Sequence, residues 1–288
     1  MNENDRSEPV LRGVRSLLFT PGDKPGRFDK GAAAGADLVI LDLEDAVAPD
    51  AKDAARHHAI EYLRSARSGR TLRALRINDP TTPLGIGDLA ALRASGSRPD
   101  LLVVPKVEHA ATIMRVGGTF DETATKRLPV LPLIESAAGT LHADEILAER
   151  DVVGVLVGAA DLAADLGIPE PTRPLLTVPR GQIVLTAAAY GKPAFDTPWF
   201  ALNDEAGLRR DIGAAFSEGF SGKSAVHPAQ IAPINAVWTP SSAQVAKARR
   251  VIAVANRGVG TVDGQMVDEA MARRARNVLS RDPQTAGD

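Results

Sequence analysis

The feature that most restricts how this chain can fold is a unit that keeps returning: a short, nearly continuous apolar run, stopped by a polar residue, then helical sequence. The runs are RSLLFT (15–20), DLVILDL (37–43), TLRALRIN (71–78), LLVVPK (101–106), LPVLPLIE (128–135), VVGVLVG (152–158), KPAFD (192–196) and SGKSAVHP (221–228). Unbroken apolar runs of this length are the mark of parallel strands buried on both faces. Helical patterns separate them, at 27–34, 50–67, near 87–94, near 109–116, 137–149, within 160–189 and at 204–218. Such a series of strand–helix units is that of a (β/α)₈ or TIM barrel.

The register of the polar residues supports this more than the count does. They gather at the C-terminal ends of the runs: Lys24, Glu44 with Asp45, Arg76 with Asn78, Lys106, Glu135, Asp161, Asp196, and Lys223 with His227. In a barrel those ends make one face, where active sites are built. An open doubly wound sheet is the alternative and would spread them along a crevice. The expected organisation is a disordered tail over 1–13, which has no apolar face to bury; a barrel over 14–240; and a C-terminal helical, lid-like segment over 241–288, with helices at 241–258 and 266–279.

Composition serves mainly to exclude. A formal net charge of −2 and 4% aromatic residues offer neither the field nor the stacking surfaces for nucleic acid, and the same charge gives no attraction to an anionic membrane. With no cysteine, a thiol nucleophile, a Cys-based metal site and disulfides are all ruled out. The polar start MNENDRSEPVLRG has no signal-peptide core and no later run is long enough for a membrane span, so a soluble cytoplasmic enzyme with a small-molecule partner is expected. There is no Walker loop, HExxH or GxSxG motif, and GIGDLA at Gly85 follows a Pro-rich turn rather than a strand.

Glu135 and Asp161 are the central pair. Each ends an apolar run and is followed by small residues, so the two acids sit one strand apart on the same face. Either alone could be a helix cap or an ion-pair partner. Together they can offer hard oxygen ligands to one divalent cation, most naturally Mg²⁺. Asp165, one turn on, is expected to cap or to face solvent. Arg76 ends its strand as a bidentate clamp for a carboxylate or thioester oxygen, as a structural partner of Glu44 or Asp45, or as both. Asp42, Glu44 and Asp45 form an acidic cluster that would be costly to leave unpaired, with hydrogen bonds to Arg76 and to metal-bound water as its expected use.

The basic loops PGDKPGR and SGKSAVHP follow the first and last strands, which are neighbours in a closed barrel. Lys24, Arg27 and Lys223 can therefore converge on a phosphate-bearing ligand, or be ordinary surface cations. His227 precedes Pro228 and can be simply a helix cap.

At these residues the chain resembles the citrate lyase β-subunit-like enzymes of the HpcH/HpaI aldolase family. The matching strings are RSLLFTPGDKPGRF, GADLVILDLEDAV, LRIN, LLVVPKVE, LPLIESAAG, GAADLAADLG, GFSGKSAVHPAQI and DGQMVDEAM. The resemblance implies a TIM barrel in homotrimers or hexamers, with Mg²⁺ held by Glu135 and Asp161 and with Arg76 on the substrate. It implies coenzyme A binding by the loops at Lys24 and Lys223, with Arg15, Arg27 and His227 counted in the same set. Asp268 then belongs to a segment that closes over a neighbouring subunit's site, and joins Arg76, Glu44 and Asp45 as a catalytic candidate. The implied reaction is Mg²⁺-dependent cleavage or formation of a carbon–carbon bond in a 3-hydroxy-3-carboxyacyl-CoA, such as malyl-CoA or citramalyl-CoA. A thioester hydrolase using the same site, and a subunit working with a carrier protein, are the alternatives. Three positions depart from the family pattern: Ala160 where Glu is common, Lys24 where Arg is common and Ala270 where Pro is frequent.

Overall fold

The computed structural model of the chain describes residues 10–67, 69–120, 127–169 and 176–282. Eight parallel strands close into a barrel: β1 (Ser16–Pro21), β2 (Leu38–Asp42), β3 (Leu72–Arg76), β4 (Leu101–Val104), β5 (Val130–Ile134), β6 (Val155–Val157), β7 (Ala194–Asp196) and β8 (Gly222–Ala225). Each pairs with the next, and β8 pairs back to β1 with Ser16 opposite Lys223. The open-sheet alternative is thereby excluded. The surrounding helices are α1 (Phe28–Ala33), α2 (Lys52–Arg64), α3 (Pro83–Ser95), α4 (Ala110–Thr119), α5 (Ala137–Leu141), α6 (Ala143–Ala148), α7 (Ala159–Asp165), α8 (Thr177–Ala189), α9 (Glu205–Ser217) and α10 (Ile231–Trp238).

Side chains alternate across each strand, so the apolar runs feed two cores at once. Leu17, Leu38, Ile40, Ala74, Leu101, Val103, Leu131, Leu133, Leu156 and Phe195 fill the barrel interior. Their neighbours in sequence, among them Leu18, Val39, Leu41, Leu75, Leu102, Val104, Ile134 and Val157, pack outward beneath the helices. At about 25 cal/mol per Å² of apolar surface, this two-sided burial is the main term favouring closure. It also sorts the polar strand ends: Asp42, Arg76 and Glu135 continue the inward rows, while Asp196 and Lys223 continue the outward ones.

The last residues of the stretch expected as a tail over 1–13 are ordered. Residues 10–13 form a turn, and Leu11, 1% exposed, packs with Val14 into the interior core. An isolated leucine in polar sequence shows no periodicity, yet it can still stop the N-terminal end of a barrel. Residues 1–9 lie outside the described part. The helix expected near 87–94 begins earlier, at Pro83, because Thr82 caps it by accepting the Gly85 N–H at 3.3 Å. The stretch 137–149 is two short helices that meet at His142.

Beyond the barrel, α11 (Ser242–Ala255) is capped by Ser241 in a capping box with Gln244. It is followed by a hairpin of β9 (Thr261–Val262) and β10 (Gln265–Met266), turning through Asp263 (φ 49°) and Gly264 (φ 76°), and then by α12 (Glu269–Leu279). The Asp-Gly turn starts α12 three residues later than the helical pattern suggested. These elements share a small core of their own around Val251, Val262, Val267 and Ala275. No helix among the described residues is long and apolar enough to cross a membrane.

Candidate active site

The inward rows of β2, β3 and β5 end at the mouth of the barrel, and their last polar residues line one cavity there with Phe19, Asp45, Asp161, Thr197 and Ser224. Asp42 and Arg76 are direct partners in the β2–β3 register. Arg76 Nε donates to Asp42 Oδ1 and Nη2 to Oδ2, both at 2.6 Å, while Nη1 lies 2.7 Å from Glu44 Oε2. The guanidinium also stacks on Phe19, 4.8 Å from the ring centroid. Burial alone would lower the Arg76 pKa, but the Asp42 hydrogen bonds and the charges of Asp42 and Glu44 hold it above the ordinary value. Arg76 is therefore a permanent cation fixed on three sides. Of its two expected roles the structural one is present, with Asp42 rather than Asp45 as the bidentate partner.

Glu44, 4% exposed, lies between two cations, with Lys106 Nζ 2.9 Å from Oε1. Neither of its oxygens makes a well-directed hydrogen bond, so it is held by charge. Burial pushes its pKa up against the pull of Arg76 and Lys106. Lys106 was no more than a polar strand end in the sequence, yet it is the residue that joins this cluster to Glu135. Its backbone is left-handed, φ 54°, a conformation costly for a residue with a Cβ, and its N–H donates to Glu135 Oε1 at 2.8 Å.

Glu135 is 4% exposed, and burial together with the charge of Glu44 pushes its carboxyl up to about 8, against the Lys106 N–H. The charge of Asp161 contributes to the same rise. The space it occupies exists because residue 158 is glycine: a Cβ there would stand 2.5 Å from Glu135 Cβ and 2.6 Å from Oε2. Asp161 is exposed in the first turn of α7 and lines the same cavity. The second acid of that helix, Asp165, caps α5 by accepting the Ala137 N–H at 2.7 Å. A buried carboxylate disfavoured by its surroundings, beside a second carboxylate open to solvent, is an oxygen donor set that a small divalent cation would relieve. The residues present thus fit Mg²⁺.

The other expected positions divide. Asp45 is exposed at the mouth. Lys24 and Arg27 are exposed on the β1–α1 connection, Lys24 paired to Asp23 at 2.7 Å. His227 is an N-cap, its Nδ1 accepting the Ala229 N–H at 3.2 Å. Two positions need correction as ligand groups. Lys223 is fully buried on the outward row, tied to Asp196 at 2.8 Å and Asp211 at 2.5 Å, so it does not converge with Lys24 although their strands adjoin. Arg15 precedes β1 at the opposite end of the barrel, where Asp37 takes its Nε and Nη2 at 2.9 and 2.8 Å. Asp268 caps α12 by accepting the Met271 N–H at 2.7 Å and is exposed in the C-terminal unit.

Thr197 and Ser224, on the inward rows of β7 and β8, also line the mouth; each follows a more conspicuous charge, Asp196 or Lys223, and only the closed barrel shows which of the two faces inward. Next to the mouth is a mostly apolar lobe walled by Leu176, Trp199, Phe200 and Ala214, with Arg180, Arg210 and Asp211 also on its lining. Ala160, Thr197, Pro198 and Phe200 border both spaces, so the departure at Ala160 puts a methyl group where the two meet.

Comparison with known proteins identifies the relatives of the chain. Residues 15–228 match the family model described as HpcH/HpaI aldolase/citrate lyase. A (3S)-malyl-CoA thioesterase of Cereibacter sphaeroides is 36% identical over 274 residues, covering 93% of this chain and 94% of the relative. An L-malyl-CoA/beta-methylmalyl-CoA lyase from the same organism is 35% identical, covering 94% of this chain and 95% of the relative. Among solved structures, the protein CitE from Mycobacterium tuberculosis in complex with magnesium, acetoacetate and coenzyme A superposes with a TM-score of 0.77 at 35% identity, over 94% of this chain and 99% of that one.

Proposed function

The chain belongs to the HpcH/HpaI aldolase/citrate lyase family, and from that premise we propose that it is a Mg²⁺-dependent carbon–carbon lyase acting on a CoA thioester, a 3-hydroxy-3-carboxyacyl-CoA such as malyl-CoA or citramalyl-CoA. The observation that carries this reading is the pair Glu135 and Asp161, one acid buried and destabilised and the other open, facing the same cavity as Arg76. Glu135 and Asp161 would hold the ion. Bound there, Mg²⁺ supplies Lewis acidity and a template for the hydroxyl and carboxylate of the part that leaves as a 2-oxo acid.

In cleavage, the bond between the hydroxyl-bearing carbon and the thioester α-carbon breaks. The hydroxyl passes its proton to a carboxylate at the rim, for which Asp45 is the proposed acceptor, as its carbon becomes a carbonyl, and the bonding pair passes to the thioester as an enolate. Arg76, held rigid by Asp42 and Glu44, places a fixed positive charge where that enolate oxygen develops, and Lys106 keeps Glu44 in place. The enolate carbon then takes a proton to give the acyl-CoA. Asp268, on a C-terminal unit contributed by a neighbouring subunit of a homotrimer or hexamer, is the proposed donor, and Asp45 stands at the rim within the same acidic set. Lys24 and Arg27 are the exposed cations that would meet CoA phosphates. Ala160 at the neck of the apolar lobe favours an acyl chain with an apolar substituent.

A thioester hydrolase at the same site is the second reading, favoured by the 36% identity to the malyl-CoA thioesterase. One assay separates them: the purified chain is given malyl-, citramalyl- and related CoA thioesters with Mg²⁺, and CoA thiol and 2-oxo acid are followed separately. The lyase produces 2-oxo acid without free thiol, and Glu135→Ala and Asp161→Ala each abolish it. Free thiol with no 2-oxo acid establishes the hydrolase, and full activity in either variant defeats both readings. Activity only with an added carrier protein would identify a carrier-dependent subunit.

A further inference from the structure

A second cluster of ligand-type side chains lies on the rim of the same end of the barrel, outside the proposed chemistry. His109 is the residue before α4, His142 is the hinge between α5 and α6, and Glu145 is in the first turn of α6. One nitrogen from each ring and one carboxylate oxygen lie within 4.8 Å of one another. The two rings are 4.4 Å apart at 33°, and Glu145 Oε1 is 3.3 Å from His109 Nδ1. We propose that His109, His142 and Glu145 form a binding site for a divalent transition metal ion, with Zn²⁺ as the fitting class, separate from the oxygen-only pair Glu135 and Asp161.

The orientation of the rings argues for this. His142 Nδ1 is 2.9 Å from the Glu108 carbonyl oxygen, which only accepts, so Nδ1 carries the proton in the neutral ring and Nε2 keeps its lone pair. A second-sphere carbonyl holding one imidazole nitrogen while the other is left for a metal is the usual setting of ligating histidines. His109 turns Nδ1 toward the Glu145 carboxylate, so these two side chains already present a nitrogen and an oxygen to one point. Glu145 is positioned independently by the Ala110 N–H at 3.2 Å. Two imidazoles and a carboxylate suit zinc and its neighbours far better than Mg²⁺, which takes oxygen ligands. Ligands about 2.1 Å from a tetrahedral ion lie about 3.4 Å apart, so the groups must close by roughly an ångström, a motion open to half-exposed and exposed side chains. Water completes the coordination.

The ion would join the β4–α4 connection, three residues after Lys106, to the helices that follow Glu135. His109 also lines the cleft that runs to Glu135 and Asp161. Metal at the rim would thus brace both sides of that cleft.

The test uses the full chain with Mg²⁺ in excess, titrated with Zn²⁺ by calorimetry and with Co²⁺ by visible absorption. The wild type takes up one equivalent of Zn²⁺ and shows a Co²⁺ d–d band. His109→Ala and His142→Ala lose that equivalent and the band, while Glu135→Ala keeps both, so this result is independent of whether the barrel mouth is a lyase site. Circular dichroism confirms folding, and His109→Ala, at an exposed position, decides the matter if His142→Ala does not fold. The same stoichiometry and band in a folded His109→Ala protein as in the wild type, or no uptake by the wild type, overturns the proposal.

Discussion

Glu135→Gln is the most direct probe of the barrel mouth, because the side chain keeps its shape and can still accept the Lys106 N–H but cannot ionise. Raising a carboxyl from its ordinary 4.5 to about 8 corresponds, at about 1.4 kcal/mol per tenfold change, to a penalty of roughly 5 kcal/mol on the ionised form. Some of this is lost to solvent in the cavity, so about 3–5 kcal/mol is the expected size. The sign follows from linkage: a carboxyl whose folded pKa is raised favours the folded state most below its unfolded value, and that stability is lost as pH climbs from about 4.5 to about 8. In metal-free protein the Gln variant should match the wild type near the low end of this window. At the high end it should be more stable, by of order 10 °C in Tm at about 2–4 °C per kcal/mol. Excess Mg²⁺ should stabilise the wild type more as pH rises and should do little for the variant. Thermal unfolding followed by circular dichroism, with EDTA or with Mg²⁺ across this range, measures all three quantities. A Gln variant no more stable than the wild type at high pH, or equally stabilised by Mg²⁺, would refute the idea that Glu135 is a destabilised carboxylate relieved by a cation.

Gly158→Ala forces a Cβ to within 2.5 Å of Glu135 Cβ; it should weaken Mg²⁺ binding at least tenfold at a stability cost of about 1–3 kcal/mol, and unchanged affinity in a Mg²⁺ titration would show that the carboxylate can simply step aside. Lys223→Met removes the buried cation that Asp196 and Asp211 share while Arg180 stays on Asp196, so urea unfolding should show a loss of about 3 kcal/mol; a raised KM for the CoA thioester with stability unchanged would instead make Lys223 a ligand group. Arg76→Lys keeps a charge but gives up the two-pronged grip of Asp42; steady-state kinetics should show kcat down about 10²–10³-fold, and near-normal turnover would remove Arg76 from the chemistry.

Much of the fold is legible along the chain because its strands are apolar runs punctuated by polar ends, and all eight occur where those runs lie. The central acids and Arg76 were legible too, since strand ends of a parallel barrel must share one face. Local chemistry hid the rest. Neither the left-handed backbone at Lys106 nor the bond of its N–H to Glu135 has a marker such as Gly or Asn, and Leu11 stops the barrel from within a polar stretch.

Residues alone determine the succession of strands, the end of each strand that carries function and the presence there of two acids, an arginine and several cations. Only closure of the barrel decides which of those groups face inward. A strand buried on both faces is apolar at every position, so its alternation is invisible in sequence, and a shift of one residue exchanges the two faces. Asp42, Arg76 and Glu135 fall on the inward rows and line the mouth, whereas Asp196 and Lys223, just as polar and just as near a strand end, fall on the outward rows and pair beneath the helices in a cluster with Arg180 and Asp211.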